Sequence, residues 1–416
     1  MNKLIASAVL AGIFSAPLHA AENWVASWAA SPHAAWRAED FALPTGVPAA
    51  LERQTVRETA RISIGGRRVR IVLSNRYGAQ PLAIGEARLA RAAAAATDGR
   101  IVSGTDQVLT FGGKRGAVIP PGAQAVSDAL ETPVAALEKL AVSVYLPRRT
   151  PLATFHWGAQ QTGYIAAGNA VGATTLSGAL PLQGRALLAG IWVDAAQPAR
   201  AVVAFGDSIT DGNGSTPDHD RRWPDYLAAR VSVNGAGPDF AASVAVVNAG
   251  VSGARLLGDR MGANAAKRFE LDVLAQPGVR TAIILMGIND IGWPQTTFAP
   301  HEAPMNAERM IAVYRLLIAQ AHARGVRIVG ATLPPFEGAL QGTPFEGYYT
   351  PAKDAVRQEV NRWIRESGEF DQVADLDALL RDPARPSRMR PRYDSGDHLH
   401  PGDAGYEAIA DAINLY

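Results

Sequence analysis

Hydrophobic and polar positions follow two rhythms along this chain, and the change comes near residue 200. Before it, apolar residues stand in short runs, many alternating with polar ones, which is the period of half-buried strands. Residues 24–28 (WVASW) read as an aromatic strand. Over 57–75, Ile62 and Ile64 alternate, Gly65-Gly66 interrupts, and Val69, Ile71 and Leu73 alternate again. That pattern predicts a hairpin. Further strand-like runs lie at 107–111, 117–119, 140–146 and 154–157, separated by Gly and Pro clusters such as Pro120-Pro121-Gly122. The alanine-rich stretch 90–96 predicts a short helix or a loop. Many short strands with such punctuation predict a β-sandwich.

After residue 200 strands and helices alternate. Strands are expected at 201–205, 244–248, 281–286, 326–333 and 371–376. Helices are expected at 222–231, 306–324, 351–367 and 403–415. The 306–324 segment is the clearest, with Met310, Val313, Tyr314, Leu317, Ile318 and Ala321 on one face and Gly325 as a stop. Alternation of this kind predicts an α/β domain wound on both faces of a parallel sheet. Residues 195–198 (AAQP) read as the junction, giving an accessory domain over 21–197 and a second domain over 198–416.

Residues 1–20 read differently from both. Lys3 opens a charged start, 4–16 is apolar but too short to span a bilayer, and Leu18-His19-Ala20 closes the segment. The pattern predicts a cleavable secretory leader cut after Ala20, against an uncleaved anchor as the alternative. The expected address is the periplasm or the medium. With no cysteine in its 416 residues, the chain has no disulfides and must stand on its core. A formal net charge of +1, with both signs mixed, gives no reason to expect nucleic acid. Arg221-Arg222 and the basic run 385–392 read as solvated faces. No stable membrane association is expected either.

Candidate chemistry gathers at strand ends. Ala201 to Phe205 reads as a fully covered parallel strand, and Gly206-Asp207-Ser208 breaks it. A serine there sits where α/β sheets place their ligands, although a plain strand–turn–helix junction with a capping Asp or Ser reads equally well from this stretch alone. Downstream, Asn248-Ala249-Gly250-Val251-Ser252-Gly253 runs a strand into a glycine loop. Gly287-Ile288-Asn289-Asp290 ends another strand, and Asp397-His398-Leu399-His400-Pro401 stands near the end. These four blocks, in this order, resemble the SGNH (GDSL) hydrolase family. Two positions vary from its pattern: Ile209 replaces the Leu of GDSL, and Ile288 stands where Gly is frequent.

The resemblance, which covers 200–416, implies five parallel strands in a flavodoxin-like order and a serine hydrolase needing no cofactor and no metal. It implies Ser208 as nucleophile, His400 as base and Asp397 as the group that orients the imidazole. It also implies an oxyanion hole from the Ser208 N–H, the Gly253 N–H and the Asn289 amide. Gly250 is the alternative glycine. Asp207 and Asp290 are expected to orient neighbours rather than react. His398 competes with His400, but an extended backbone would turn it to the other side, and Pro401 after His400 matches the family. His156, His219 and His301 carry no motif and read as surface or satisfied core groups. A metal held by Asp207, Asp397, His398 and His400 is a rival that lacks a recognised ligand spacing.

The strand-rich front and the WVASWAASP start look like a bacterial arylesterase or acylhydrolase-like subgroup found beside xylan-degrading systems. The expected reaction is hydrolysis of a carboxylic ester through an acyl-enzyme, on O-acetyl groups of polysaccharide or oligosaccharide. Short-chain lipid or aryl esters are the alternative substrates. A vestigial carbohydrate binder and a phosphoester hydrolase are the rivals from other classes. Trp24, Trp28, Trp36 and Trp157 are candidates for a sugar-binding face, although aromatics in strands usually belong to the core.

Overall fold

The computed structural model describes residues 22–36, 46–93, 98–234 and 243–415. The expected leader at 1–20 lies outside them. No helix among the described residues is long and apolar enough to cross a membrane.

The front half holds two large antiparallel sheets, with three two-stranded pairs beside them among the described residues. One has four strands in the order Trp24–Ala29, Leu188–Asp194, Arg68–Ser74, Gln124–Val126. The other has six, in the order Leu180–Gln183, Thr162–Ala167, Gln54–Arg61, Lys139–Leu146, Glu86–Arg91, Gln107–Val108. Val25, Ile71 and Ile191 of the first share one core with Val56, Val142 and Ile165 of the second. The two inner faces thus bury each other's apolar positions, as in a sandwich.

Two expectations fail here. The Gln54–Arg61 and Arg68–Ser74 strands do not pair as a hairpin, because they belong to different sheets. The glycines between them serve close approach rather than a tight two-residue turn. A Cβ on Gly65 would lie 2.3 Å from the Val134 carbonyl oxygen, and one on Gly66 2.7 Å from that of Asp194. The stretch 90–96 is neither helix nor loop at its start: Ala90 and Arg91 end the Glu86–Arg91 strand, and Ala92 bridges to Ile101. Residues 94–97 lie outside the description.

The second half carries a five-stranded parallel sheet in the order Ser243–Gly250, Ala199–Gly206, Val279–Leu285, Arg327–Ala331, Gln372–Ala374. Numbered along the chain, that order is 2-1-3-4-5, the flavodoxin-like winding. Helices flank it. Ala307–Ala323 starts where the Asn306 side chain accepts the Arg309 N–H at 3.0 Å, and it packs on Pro351–Glu366. Trp223–Asn234 packs on Asp403–Ala412. Of the pair expected to be a solvated face, Arg221 is exposed but Arg222 is not. Arg222 is buried because Asp225 meets its guanidinium at 2.7 and 3.0 Å, so its charge is satisfied inside.

The halves share surface. The Trp24–Ala29 strand lies against Ser243–Gly250, and Ala26 and Ala29 join the core of the parallel sheet. The Ser63 hydroxyl accepts the Val246 N–H at 3.1 Å. Residues 195–198 connect the last sandwich strand to the first strand of the parallel sheet.

Candidate active site

Three of the four blocks follow three adjacent strands, on either side of the point where the winding reverses. That crevice is where such sheets bind ligands. The central strand ends at Gly206, where a Cβ would strike the Thr210 hydroxyl at 2.0 Å and the Leu285 carbonyl oxygen at 2.6 Å. Asp207 then caps a single helical turn, Ser208–Asp211, by accepting the Ile209 N–H at 3.0 Å. Gly212 closes the turn at φ +108° and returns its N–H to the Ser208 carbonyl at 2.8 Å.

The fourth block is a compact loop ahead of the Asp403–Ala412 helix. The Ser395 N–H donates to the His400 carbonyl at 3.1 Å, and the Gly402 N–H to that of Tyr393 at 2.7 Å. One Asp397 oxygen accepts the Leu399 and His400 N–H groups at 2.9 and 2.8 Å. The other faces His400 Nδ1 at 2.5 Å. Nδ1 therefore carries the hydrogen, and Nε2, 2.8 Å from Ser208 Oγ, is left to accept one. Burial pushes the Asp397 carboxyl upward, but the bond and charge of His400 and the two backbone N–H groups outweigh it. The result lies well below the usual carboxylate range.

The structure thus brings Ser208, His400 and Asp397 into one hydrogen-bonded line, while His398 stands apart. Its backbone has φ +60°, and its ring bonds Asp394 at 2.5 Å with half its side chain exposed. Among the described residues no cluster of three His, Cys, Asp or Glu side chains is arranged to hold a metal.

Gly253 lies in the loop after the Ser243–Gly250 strand at φ +74°, with Met261 pressed so close that a Cβ would be 2.1 Å from its sulfur. Neither the Ser208 nor the Gly253 N–H has an acceptor among the described residues. The Asn289 amide donates to the Ala254 carbonyl at 3.1 Å, next to Gly253. Its oxygen accepts the hydroxyl of Tyr348 at 2.8 Å, which fixes which way the NH₂ points. Asp290 accepts the Leu256 and Leu257 N–H groups at 2.7 and 2.9 Å. Both neighbouring acids are buried. Burial raises Asp290 to about 6 and Asp207 to about 7, in each case against the pull of backbone N–H donors.

Tyr348 was not legible in the sequence; the Tyr348-Tyr349 pair in a loop carries no spacing that points to Asn289. Neither was His156, a group read only as surface or satisfied core. It is buried, with Nδ1 2.8 Å from the Ser31 carbonyl oxygen and Nε2 2.9 Å from Asp211. Of the four tryptophans, Trp28 is buried with Arg185 over its ring at 4.6 Å. Trp36 and Trp157 are half-buried beside the site, 5.3 Å apart, and Trp36 Nε1 donates to the Met261 carbonyl at 3.3 Å. A cleft of about 370 Å³, lined by Glu337, Arg385, Arg388, Met389, Asp394 and His398, opens at the Asp394–His398 corner.

A serine hydroxyl, an imidazole and a carboxylate in line, at the strand ends of a 2-1-3-4-5 parallel sheet, define a hydrolase of the three-layer α/β class. Residues 204–408 match the GDSL-like lipase/acylhydrolase family, and this half of the chain belongs to it. Comparison with curated proteins gives no match. Several solved structures resemble the same half. A GDSL-like lipase from Bacteroides thetaiotaomicron VPI-5482 is 18% identical over 52% of this chain and 88% of its own, with a TM-score of 0.37. An acetyl xylan esterase is 18% identical over 51% of this chain and 96% of its own, with a TM-score of 0.37. A variant of an acetyl-xylooligosaccharide esterase from Geobacillus is 23% identical over 52% and 93%, with a TM-score of 0.35.

Proposed function

We propose that the chain is an exported serine esterase that cleaves carboxylic esters through an acyl-enzyme, acting on O-acetyl groups of polysaccharide or oligosaccharide. The observation that carries this reading is the 2.8 Å contact between Ser208 Oγ and His400 Nε2, with Asp397 on the other ring nitrogen. His400 takes the hydroxyl proton as Ser208 Oγ bonds to the ester carbonyl carbon. The carbonyl oxygen becomes an oxyanion and meets the Ser208 and Gly253 N–H groups and the Asn289 amide. Each such donor contributes on the order of 10²–10³ in rate. The tetrahedral intermediate collapses as His400 hands its proton to the departing alcohol. Water then repeats the sequence on the acyl-serine and releases the acid.

The cleft at the Asp394–His398 corner sets Arg385, Glu337 and Asp394 among the apolar walls of Met389 and Pro391, and would take a group that offers hydroxyls and an apolar face together, as a sugar ring does. A second reading, a short-chain or aryl ester, draws on the Trp36 and Trp157 rings beside Met261. Export rests on the sequence of residues 1–20 alone.

The test is a panel of acetyl, butyryl, octanoyl and feruloyl esters with acetylated xylan, run on wild type and Ser208→Ala. Release of acetate from xylan by wild type alone is the expected result. Preference for butyryl or feruloyl esters with no release from xylan favours the second reading. Turnover by Ser208→Ala at the wild-type rate would refute both.

A further inference from the structure

The front half reaches the site through residues 156–160. His156, at the end of the sandwich, directs both ring nitrogens at oxygen acceptors: the Ser31 carbonyl at 2.8 Å within its own half and Asp211 Oδ1 at 2.9 Å in the turn that carries Ser208. Asp211 Oδ2 in turn accepts the Ser252 N–H at 3.1 Å and its hydroxyl at 2.7 Å. The same hydroxyl lies 3.1 Å from Asn213 Oδ1, which also accepts the Gln160 amide at 3.2 Å. His156, Asp211 and Ser252 are all buried. Gly158, at φ +82°, fits so closely that a Cβ there would lie 2.4 Å from Ser252 Oγ and 2.8 Å from Asp211 Oδ2. Arg185 and Arg222 also bring positive charge toward Asp211, but neither hydrogen-bonds it.

Ser252 immediately precedes Gly253. Ala254 is held by Asn289, and Leu256 and Leu257 by Asp290, so both of those ties come from within the parallel-sheet half. The tie on Ser252 runs on into the other half. We propose that His156 is a positioning residue: through Asp211 it fixes Ser252, and with it the direction of the Gly253 N–H, so the oxyanion-binding loop is completed by the strand-rich front half. This deepens the serine-esterase reading and rests on it. On this view the front half is part of the catalytic unit and does more than carry a sugar-binding face. A displacement of about 1 Å at a group that meets the transition state can cost on the order of 10²-fold in rate.

Two substitutions in the full-length protein separate positioning from mere packing. Gln places its amide nitrogen near the position of His Nε2, and Asn near that of Nδ1. His156→Gln therefore keeps a donor for Asp211, and His156→Asn keeps one only for Ser31. The readout is kcat and KM on the best ester of the panel, with far- and near-ultraviolet circular dichroism to verify the fold. His156→Asn is expected to lower kcat about tenfold or more at unchanged KM, and His156→Gln to stay within about threefold of wild type. Gly158→Ala, which pushes on Ser252 Oγ and Asp211 Oδ2 from the same side and leaves the His156 side chain in place, should likewise lower kcat and spare KM; it carries the test should His156→Asn not fold. A folded His156→Asn with wild-type kcat, equal losses in the Asn and Gln variants, or a Gly158→Ala protein with unchanged kcat would overturn the proposal. Wild type inactive on every ester, or active Ser208→Ala, instead overturns the esterase reading on which it rests.

Discussion

Asp207 lies directly before the proposed nucleophile and is buried beneath its turn. One of its oxygens accepts the Ile209 N–H at 3.0 Å, and the other has no partner among the described residues. Burial raises its pKa to about 7; the Ile209 N–H and His400 pull the other way, and Asp290 adds to the rise. In the unfolded chain the same carboxyl loses its proton near pH 4, at about 3.9. Between these values the folded protein holds one proton more than the unfolded chain. Stability from this group is therefore present in acid and is lost as the pH rises through that window. A difference of about three pH units is worth about 4 kcal/mol, more than half of which is lost between pH 5 and 8. Asp207→Asn keeps an acceptor for Ile209 and places an N–H where the protonated carboxyl has its O–H, but it does not titrate. The unfolding free energy of the variant relative to wild type should therefore rise by about 2 to 3 kcal/mol from pH 5 to pH 8. Urea titrations of both proteins at the two pH values measure it. A difference that stays constant with pH would show that Asp207 ionises as a solvated carboxyl does, and the account of its burial would fall.

Two further outcomes concern the site. Asp397→Asn removes the carboxylate that holds the Nδ1 hydrogen of His400 and should lower kcat by about 10³–10⁴ with KM little changed; initial-rate kinetics decide. Its stability effect has the opposite pH sense to that of Asp207. A carboxylate held below its ordinary range stabilises at neutral pH, and that contribution disappears only as the pH falls below the ordinary carboxylate range. Tyr348→Phe strips the hydroxyl from Asn289 Oδ1 and leaves a buried acceptor unpaired. It should cost about 1–3 kcal/mol in unfolding free energy and lower kcat by about tenfold, because the amide is free to turn.

The parallel-sheet half was legible because each of its signals is local. An uninterrupted apolar run such as Ala201 to Phe205 marks a covered strand, and the block that follows it is attached to that strand's end. Strand order came from the family resemblance and not from the residues. In the front half the strands were legible and their partners were not. Alternation in Gln54–Arg61 and Arg68–Ser74 shows that each has one buried face, but the same alternation serves a hairpin or a crossing between two sheets. Gly65-Gly66 misled for that reason: glycine answers equally to a turn and to a carbonyl oxygen 2.3 Å from where a Cβ would stand. Arg222 misled because its neutralising partner, three residues on, turns a charge expected in water into a buried pair. Tyr348 and His156 act across 59 and 55 residues of chain, and no spacing rule reaches that far.

The loop over 251–257 explains why acids and amides follow the strands of this sheet. A loop that must present a bare N–H cannot spend that donor on holding itself in place, so its position has to be set by the groups around it. Here each anchor is a polar side chain just past a strand end: Asp211 for Ser252, Asn289 for Ala254, and Asp290 for Leu256 and Leu257. Asn289 and Asp290 begin a turn in which Ile288, Asn289 and Asp290 are all buried, so the parallel-sheet half holds them without help. Asp211 ends a single four-residue turn closed by Gly212, and its remaining oxygen is engaged from outside by His156. A turn that short has little stiffness of its own. The sheet holds this turn at Thr210, whose carbonyl accepts the Asn248 amide at 2.7 Å, and the contact with the front half holds the Asp211 side chain itself, which places the proposed dependence of turnover on that half at Asp211 rather than at a remote sugar-binding surface.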